Sequence, residues 1–239
     1  MRLARFLATA GVGSRRQCEQ HVRDGRVSVN GHRLDSPASN VVPGTDAVCF
    51  DGHRVRLPSP KYIMLHKPRG VTCSAKDAHA DQLVVDLIPK SQGRLFTVGR
   101  LDRESEGLLL LTNDGDWAER LTHPRFAISK TYKVWCHGAI GAAFLRTLRR
   151  GIKDDGDHLQ PVRVRELKPD FGCRVLEFVL TEGKKREVRR LCAAVDLTVK
   201  RLLRTSLGGL SLDLAPGRWR HLSRDEVTAV VESGGMKEG

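Results

Sequence analysis

Apolar residues Leu3, Phe6, Leu7 and Ala10 recur at steps of three and four, which predicts an amphipathic helix at the start of the chain. Gly11 and Gly13 break that pattern. Ser14-Arg15-Arg16-Gln17 then reads as a capping box opening a second helix, which Gly25 stops. From there the period shifts towards two. Val27-Ser28-Val29 and His32-Arg33-Leu34 flank Asn30-Gly31, the signature of a hairpin with a type I′ turn, and Val48–Leu57 repeats the arrangement around Asp51-Gly52. Leu57-Pro58-Ser59-Pro60 extends neither a helix nor a sheet comfortably and reads as a linker.

Beyond Lys61 the pattern predicts strands over Tyr62–Leu65, Leu95–Val98, Leu108–Thr112, Lys130–Val134 and Arg174–Thr181. Helices are expected over Trp117–Leu121, Ala142–Leu148 and Lys185–Ala194, and Ser223–Glu226 is a capping box for a last one. Asp114-Gly115 reads as a hairpin turn, and Gly234–Gly239 as a frayed tail. Strands and helices do not alternate one for one, so the fold class is α+β, with an antiparallel or mixed sheet. The 239 residues divide into a small module over residues 1–59 and a larger domain over residues 60–239.

Composition narrows the setting. Leu108–Leu111 is the middle of a strand-like segment, and no apolar run approaches the ~18 residues that span a bilayer. Met1–Gly13 is too short in its apolar part, and too interrupted by Arg5, to be a secretory signal. The six cysteines lie 19 to 63 residues apart with no C-x-x-C, which fits neither a zinc site nor a disulfide scaffold and suits a reducing cytosol. A soluble, cytoplasmic, monomeric protein without a membrane partner or a structural metal is expected.

Charge points to a polyanion. The formal net charge is +13 and the isoelectric point is near 9.9. The excess is concentrated: Lys184–Arg204 carries eight basic residues against Glu187 and Asp196 and is expected to form one binding surface. At the start of the second helix, Ser14, Arg15 and Arg16 would set free backbone N–H groups, a helix dipole and two guanidiniums around a phosphate. A capped, solvated surface helix accounts for the same tripeptide.

Gly99 and Gly107 bracket a polar loop, Arg100-Leu101-Asp102-Arg103-Glu104-Ser105-Glu106, that leads into four leucines. An acid held between buried strands is a candidate nucleophile or base. Asp102 could equally cap a turn, be solvated, or join Glu104 and Glu106 around a divalent ion, the reading of a metal-dependent nuclease. His66, His123 and His137 lack metal-like spacing and read as structural or surface residues.

Four stretches, in order, resemble the RsuA/RluB/RluE/RluF family of ribosomal RNA pseudouridine synthases. These are His66-Lys67-Pro68-Arg69-Gly70, Gly99-Arg100-Leu101-Asp102 through Gly115, Lys130-Thr131-Tyr132-Lys133-Val134, and Glu182-Gly183-Lys184-Lys185-Arg186-Glu187-Val188-Arg189-Arg190-Leu191. Ser105 stands where the family commonly has Thr, and Glu187 where Gln is frequent. The first fifty residues, above all Arg26-Val27-Ser28-Val29-Asn30-Gly31, are similar to the small αL RNA-binding module first known from a ribosomal small-subunit protein.

The resemblance implies isomerisation of uridine to pseudouridine without cofactor or metal. Asp102 is then the nucleophile and Tyr132 the aromatic beside a flipped base. Arg189 is the partner of Asp102, with Arg186 and Arg190 close enough in the helix to be confused with it. RNA contacts are expected from Arg2, Ser14, Arg15, Arg16 and Arg26 of the module, and from Arg100, Lys184, Lys185, Arg186 and Arg190 of the larger domain. The partner implied is a structured, uridine-containing stem-loop of ribosomal RNA, large-subunit RNA more than small, on its own or in subunit precursors. A non-catalytic RNA-binding or ribosome-assembly factor of the same fold is the alternative.

Overall fold

A computed structural model describes residues 1–74, 80–138 and 143–235. The chain forms two compact units, Met1–Pro60 with Asn113–Gly115, and Lys61–Thr112 with the chain from Asp116 onward.

In the first unit α1 (Leu3–Thr9) and α2 (Arg15–Arg23) precede four short strands, β1 (Val27–Val29), β2 (His32–Arg33), β3 (Val48–Phe50) and β4 (His53–Arg54). The strands pair in the order β2-β1-β3-β4. Asn30 and Gly31 both take positive φ, +55° and +85°, as a type I′ turn requires. Leu3, Phe6 and Leu7 of α1 meet Cys18 and Val22 of α2 and Val27 and Val48 of the sheet in one small core. The helical spacing of the first ten residues is the imprint of that contact.

The second unit contains β5 (Tyr62–Lys67), β6 (Phe96–Val98), β7 (Glu106–Thr112), α3 (Gly115–Thr122), β8 (Lys130–His137), α4 (Phe144–Arg150), β9 (Ile152–Asp154) and β10 (Asp157–Leu159). It continues with β11 (Arg163–Asp170), β12 (Cys173–Leu180), α5 (Glu187–Ala193), β13 (Thr198–Leu207), β14 (Leu210–Ser211), β15 (Trp219–His221) and α6 (Arg224–Glu232). Seven of these strands run β11-β12-β8-β13-β7-β5-β15, with β6 and β14 paired to β7 and β13. Among the described pairings of this sheet, β7 with β13 is parallel and the rest are antiparallel, so the sheet is mixed.

Both faces of the sheet are covered, and the unbroken run Leu108–Leu111 follows from that. Leu109 and Leu111, with Ile63 and Leu65 of β5, join a core shared with Leu148 of α4 and Val188, Leu191 and Cys192 of α5. Leu108 and Leu110, with Met64, point the other way onto Trp117 and Leu121 of α3 and Val230 of α6.

Three expectations change. Asp114-Gly115 is not a hairpin turn: Gly115 opens α3, so the chain leaves β7 directly into a helix. The strands β9, β10, β11, β13, β14 and β15 join those expected. Ala142, the expected start of a helix, and residues 236–239 of the expected tail lie outside the described residues, while Gly234 packs against the Phe126 carbonyl.

Candidate active site

The loop from Gly99 to Ser105 links β6 to β7 and carries Asp102 at the start of a tight turn, closed by Ser105 N–H donating to the Asp102 carbonyl at 3.0 Å. Its fixture is Lys67, a fully buried lysine at the end of β5. The Lys67 ammonium donates to the carbonyls of Ser105 (2.6 Å), Pro68 (3.0 Å) and Arg103 (3.3 Å). Burial pushes its pKa down, and the Asp102, Glu104 and Glu106 carboxylates pull it back up. Outside the loop, Gly70 N–H donates to the Arg103 carbonyl (2.8 Å), Arg69 pairs with Glu104 (2.7 Å), and Arg103 pairs with Asp81 (2.5 Å). The loop that carries Asp102 is thus held through its own carbonyls, which leaves the Asp102 carboxylate free to face a cleft.

That cleft encloses about 700 Å³ and is lined by residues of the second unit, Asp102 and Tyr132 among them. Tyr132 is 8% exposed and lies on β8 between Phe178 of β12 and Arg204 of β13. Arg100, Lys184, Lys185 and Arg186 line the same cleft. Arg186, at the N-terminal boundary of α5, has φ +52°, a backbone conformation that costs a non-glycine residue energy. It brings a guanidinium nitrogen to 4.0 Å from the Asp102 carboxylate. Arg189, the expected partner of Asp102, is one turn further along α5 and grips the same loop differently, donating to the Glu104 carbonyl at 3.0 Å. Among the described ion pairs the contact to Asp102 is therefore Arg186. Asp102 still acts on Arg189 through space, where it opposes the lowering of that guanidinium's pKa by burial.

Arg190 departs from the expected RNA contact. Its guanidinium turns away from the cleft to pair with Asp154 and, at 2.7 Å, with Asp157, which ties α5 to the β9–β10 hairpin. The run Lys184–Arg204 is likewise not one surface. Arg201 pairs with Glu106 at 2.8 Å and Arg204 is buried at 2% exposure, because the second half of the run is strand β13. Lys184 lines the cleft while donating to the His158 carbonyl (2.7 Å) and pairing with Glu182 (3.0 Å).

In the first unit Ser14 and Gln17 form the reciprocal capping box of α2, so the Ser14 hydroxyl accepts from Gln17 N–H. Arg15 and Arg16 are exposed on the first turn of that helix. Arg26 pairs with Asp51 and lies 4.6 Å over the Phe50 ring, and Arg2 donates to the Ala38 carbonyl at 2.5 Å. Both of these arginines are engaged within the module itself.

Glu104 and Glu106 are held by Arg69 and Arg201, and among the described residues no group of three or more His, Cys, Asp or Glu side chains is placed to hold a metal ion. The carboxylate triplet of a metal-dependent nuclease is therefore not assembled. His66 is buried, with its Nδ1 2.7 Å from the Leu214 carbonyl, and His123 caps a short 3-10 turn. No described helix is long and apolar enough to cross a membrane.

The sequence assigned no individual role to three charged residues that the structure sequesters, Lys67 under the Asp102 loop and Glu187 and Lys130 in the cleft wall. Lys67 stood in plain view as a charge at the end of an apolar strand. Glu187 is 5% exposed, accepts from Lys184 N–H at 3.1 Å, and has its pKa raised by burial. Lys130 directs its ammonium to the Ile128 and Thr181 carbonyls at 3.1 and 3.4 Å, and burial lowers its pKa to about 8 from 10.5. Between those two values the unfolded chain binds more protons at this position than the folded one, so this group makes stability rise with pH across that window. Denaturant unfolding at pH 7.5 and 9.5 should show the wild type gaining stability relative to Lys130→Met as the pH rises.

The model for RNA pseudouridylate synthases matches residues 61–194, more than half of the chain. The chain belongs to this family. An S4 domain matches residues 1–46. An "Uncharacterized RNA pseudouridine synthase" of Aquifex aeolicus is 36% identical over 99% of this chain and 96% of that protein. The Bacillus subtilis protein named ribosomal large subunit pseudouridine synthase B is 36% identical over 95% of this chain and 93% of its own length. A crystal structure of a pseudouridylate synthase superposes with a TM-score of 0.68 at 28% identity, covering 96% of this chain and 99% of that one. Membership of the RNA pseudouridylate synthases supports the catalytic reading over the non-catalytic RNA-binding factor.

Proposed function

We propose that this chain isomerises a specific uridine to pseudouridine in ribosomal RNA, that of the large subunit, as a cytoplasmic monomer acting on a structured stem-loop, free or in an assembling subunit. Residues 1–59 would dock on the RNA and residues 60–239 would carry the reaction. The observation that carries this reading is the meeting of Asp102 and Tyr132 on one cleft whose wall also bears Arg100, Lys185 and Arg186. The reaction breaks the N1–C1′ glycosidic bond and joins C5 of the same base to C1′, with no change of oxidation state. Asp102 supplies the nucleophilic carboxylate, with the guanidinium of Arg186 4.0 Å from it and that of Arg189 holding the Glu104 carbonyl of the same loop. Tyr132 offers an aromatic face to a base taken out of its stack, and its phenol is the group to move the C5 proton. Exposed Arg100 and Lys185 meet the flanking phosphates.

Tritium release from ribosomal RNA labelled at uridine C5 tests this directly, with chelator present and small- and large-subunit transcripts run side by side. Release from the large-subunit transcript is the expected result. Release from the small-subunit transcript alone would reassign the substrate, and no release from either transcript or from immature particles, with tight binding intact, would return the chain to the non-catalytic reading.

A further inference from the structure

We propose that Arg204 is the group that reads the target base, its guanidinium donating to a carbonyl oxygen of the flipped uracil and carrying the negative charge that the base acquires when its bond to ribose breaks. This inference rests on the isomerase reading above and assigns a role within it.

Arg204 is 2% exposed and lines the cleft with Asp102 and Tyr132. Its Nε donates to the Leu108 carbonyl at 2.6 Å, which fixes the guanidinium plane, while its buried Nη2 has no hydrogen-bond partner among the described residues. A buried cationic donor without a partner is costly and uncommon in folded proteins, and each one calls for an explanation, a catalytic role among them. Four buried side-chain polar atoms are in this state among the described residues. Two of them, Arg204 Nη2 and the Ser105 hydroxyl, belong to residues that line the cleft.

The backbone is shaped around this side chain. The β13–β8 register shifts between Arg204 and Ser206, one residue past the pairing of Arg204 with Tyr132. Such irregularities re-aim side chains beside functional sites. On the other side of β13, Gly107 approaches so closely that a Cβ there would lie 2.3 Å from the Arg204 carbonyl oxygen. The other cations of the cleft are otherwise engaged or superficial. Lys130 donates to two carbonyls, Lys184 to the His158 carbonyl and Glu182, Arg103 pairs with Asp81, and Arg186 faces Asp102, while Arg100 and Lys185 are exposed. Arg204 is the deep donor.

Uracil presents two carbonyl acceptors, O2 and O4. When the N1–C1′ bond breaks, its electron pair stays with N1 and delocalises onto those oxygens. The base then turns, C5 bonds to C1′, the C5 proton leaves and N1 takes up a proton, so atoms and charge balance with no added reactant. A fixed guanidinium beside one of the oxygens strengthens its hydrogen bond as the negative charge develops. At O4 it would also exclude cytosine, whose amino group there is a donor.

The test uses RNA spanning the uridine that the wild type modifies, with that residue as uridine, 2-thiouridine or 4-thiouridine, in single-turnover reactions. Sulfur accepts hydrogen bonds poorly but carries negative charge well, so a slower reaction reports the lost hydrogen bond. One thio substitution, at the contacted position, is expected to slow the wild type at least tenfold. Arg204→Gln should slow the uridine reaction by about 10²–10³-fold with RNA affinity within about threefold, the scale of losing one oxyanion donor. The same variant should be nearly insensitive to that thio substitution. Equal rates of the wild type on all three RNAs overturn the proposal, and this arm needs no variant to fold. So does an Arg204→Gln variant that folds and is slowed by the same factor on all three, the mark of a structural role. A wild type that modifies no uridine overturns the isomerase reading itself, which the uridine arm alone reveals.

Discussion

Asp102→Asn is expected to abolish pseudouridine formation, with a fall on the order of 10⁴-fold or more, the scale seen when a nucleophile is removed from an otherwise intact site. The substitution is nearly isosteric and the side chain is 37% exposed. The loop around it is held by Lys67 and Arg189 at backbone carbonyls, by Arg69 at Glu104 and by its own Arg103 reaching Asp81, none of which involves the Asp102 carboxylate. Losing a partly exposed ion pair with Arg186 costs at most about 1 kcal/mol. Thermal stability and RNA affinity should therefore match the wild type while tritium release disappears. Binding should tighten slightly, since a negative charge leaves a cleft lined by Arg100, Lys184, Lys185 and Arg186. Residual activity within tenfold of the wild type would remove Asp102 from the chemistry and leave Tyr132 and Arg204 without a nucleophile to serve.

The first unit was legible because its patterns are local. A capping box, an Asn-Gly turn and an apolar stripe of helical spacing each report on neighbours a few residues away, and Ser14-Gln17, Asn30-Gly31 and Leu3-Leu7 all act in the structure as their spacing indicates. Strand β13 was hidden for a physical reason. Its register shifts twice, between Val199 and Arg201 and between Arg204 and Ser206, so the alternation of period two is interrupted. Its interior positions include an arginine, Arg204, which lines the cleft. The same confusion made Lys184–Arg204 look like one basic face, when Arg201 serves a salt bridge and Arg204 the floor of a cleft. Arg190 misleads in the same way: Asp154 and Asp157, which take up its charge, lie more than thirty residues earlier and show no local signal. Edge strand β11 carries Pro169 among alternating charges, a composition an edge tolerates and a sequence pattern does not announce.

Gly107→Ala should damage stability and catalysis together. Gly107 has φ +111°, where an L side chain is strained, and it is the second residue of β7, the strand that follows the Asp102 loop. A Cβ there would meet the Arg204 carbonyl oxygen at 2.3 Å, the Arg204 nitrogen at 2.7 Å and Leu203 Cδ1 at 2.9 Å. Two of these atoms are backbone of β13 and cannot rotate aside, so β7 and β13 must separate at their parallel pairing. Strain at such a φ contributes about 1–3 kcal/mol. Overpacking between fixed strands adds about 1–3 kcal/mol. For a protein of this size a combined loss of about 4 kcal/mol lowers Tm by roughly 8–16 °C. Gly99→Ala is the matched control: its φ is also positive, +71°, but its nearest obstacle is Thr122 Cγ2 at 3.6 Å, so only the conformational penalty of about 1–2 kcal/mol applies. The separation also bears on chemistry, because the hydrogen bond from Arg204 Nε to the Leu108 carbonyl crosses this same junction. Below its lowered Tm, folded Gly107→Ala should turn over more slowly than Gly99→Ala, with its defect partly shared by Arg204→Gln when the two are combined. A Gly107→Ala protein within 2 °C of the wild type and fully active would mean that the two strands yield without cost, and that the position of Arg204 does not depend on how closely they meet.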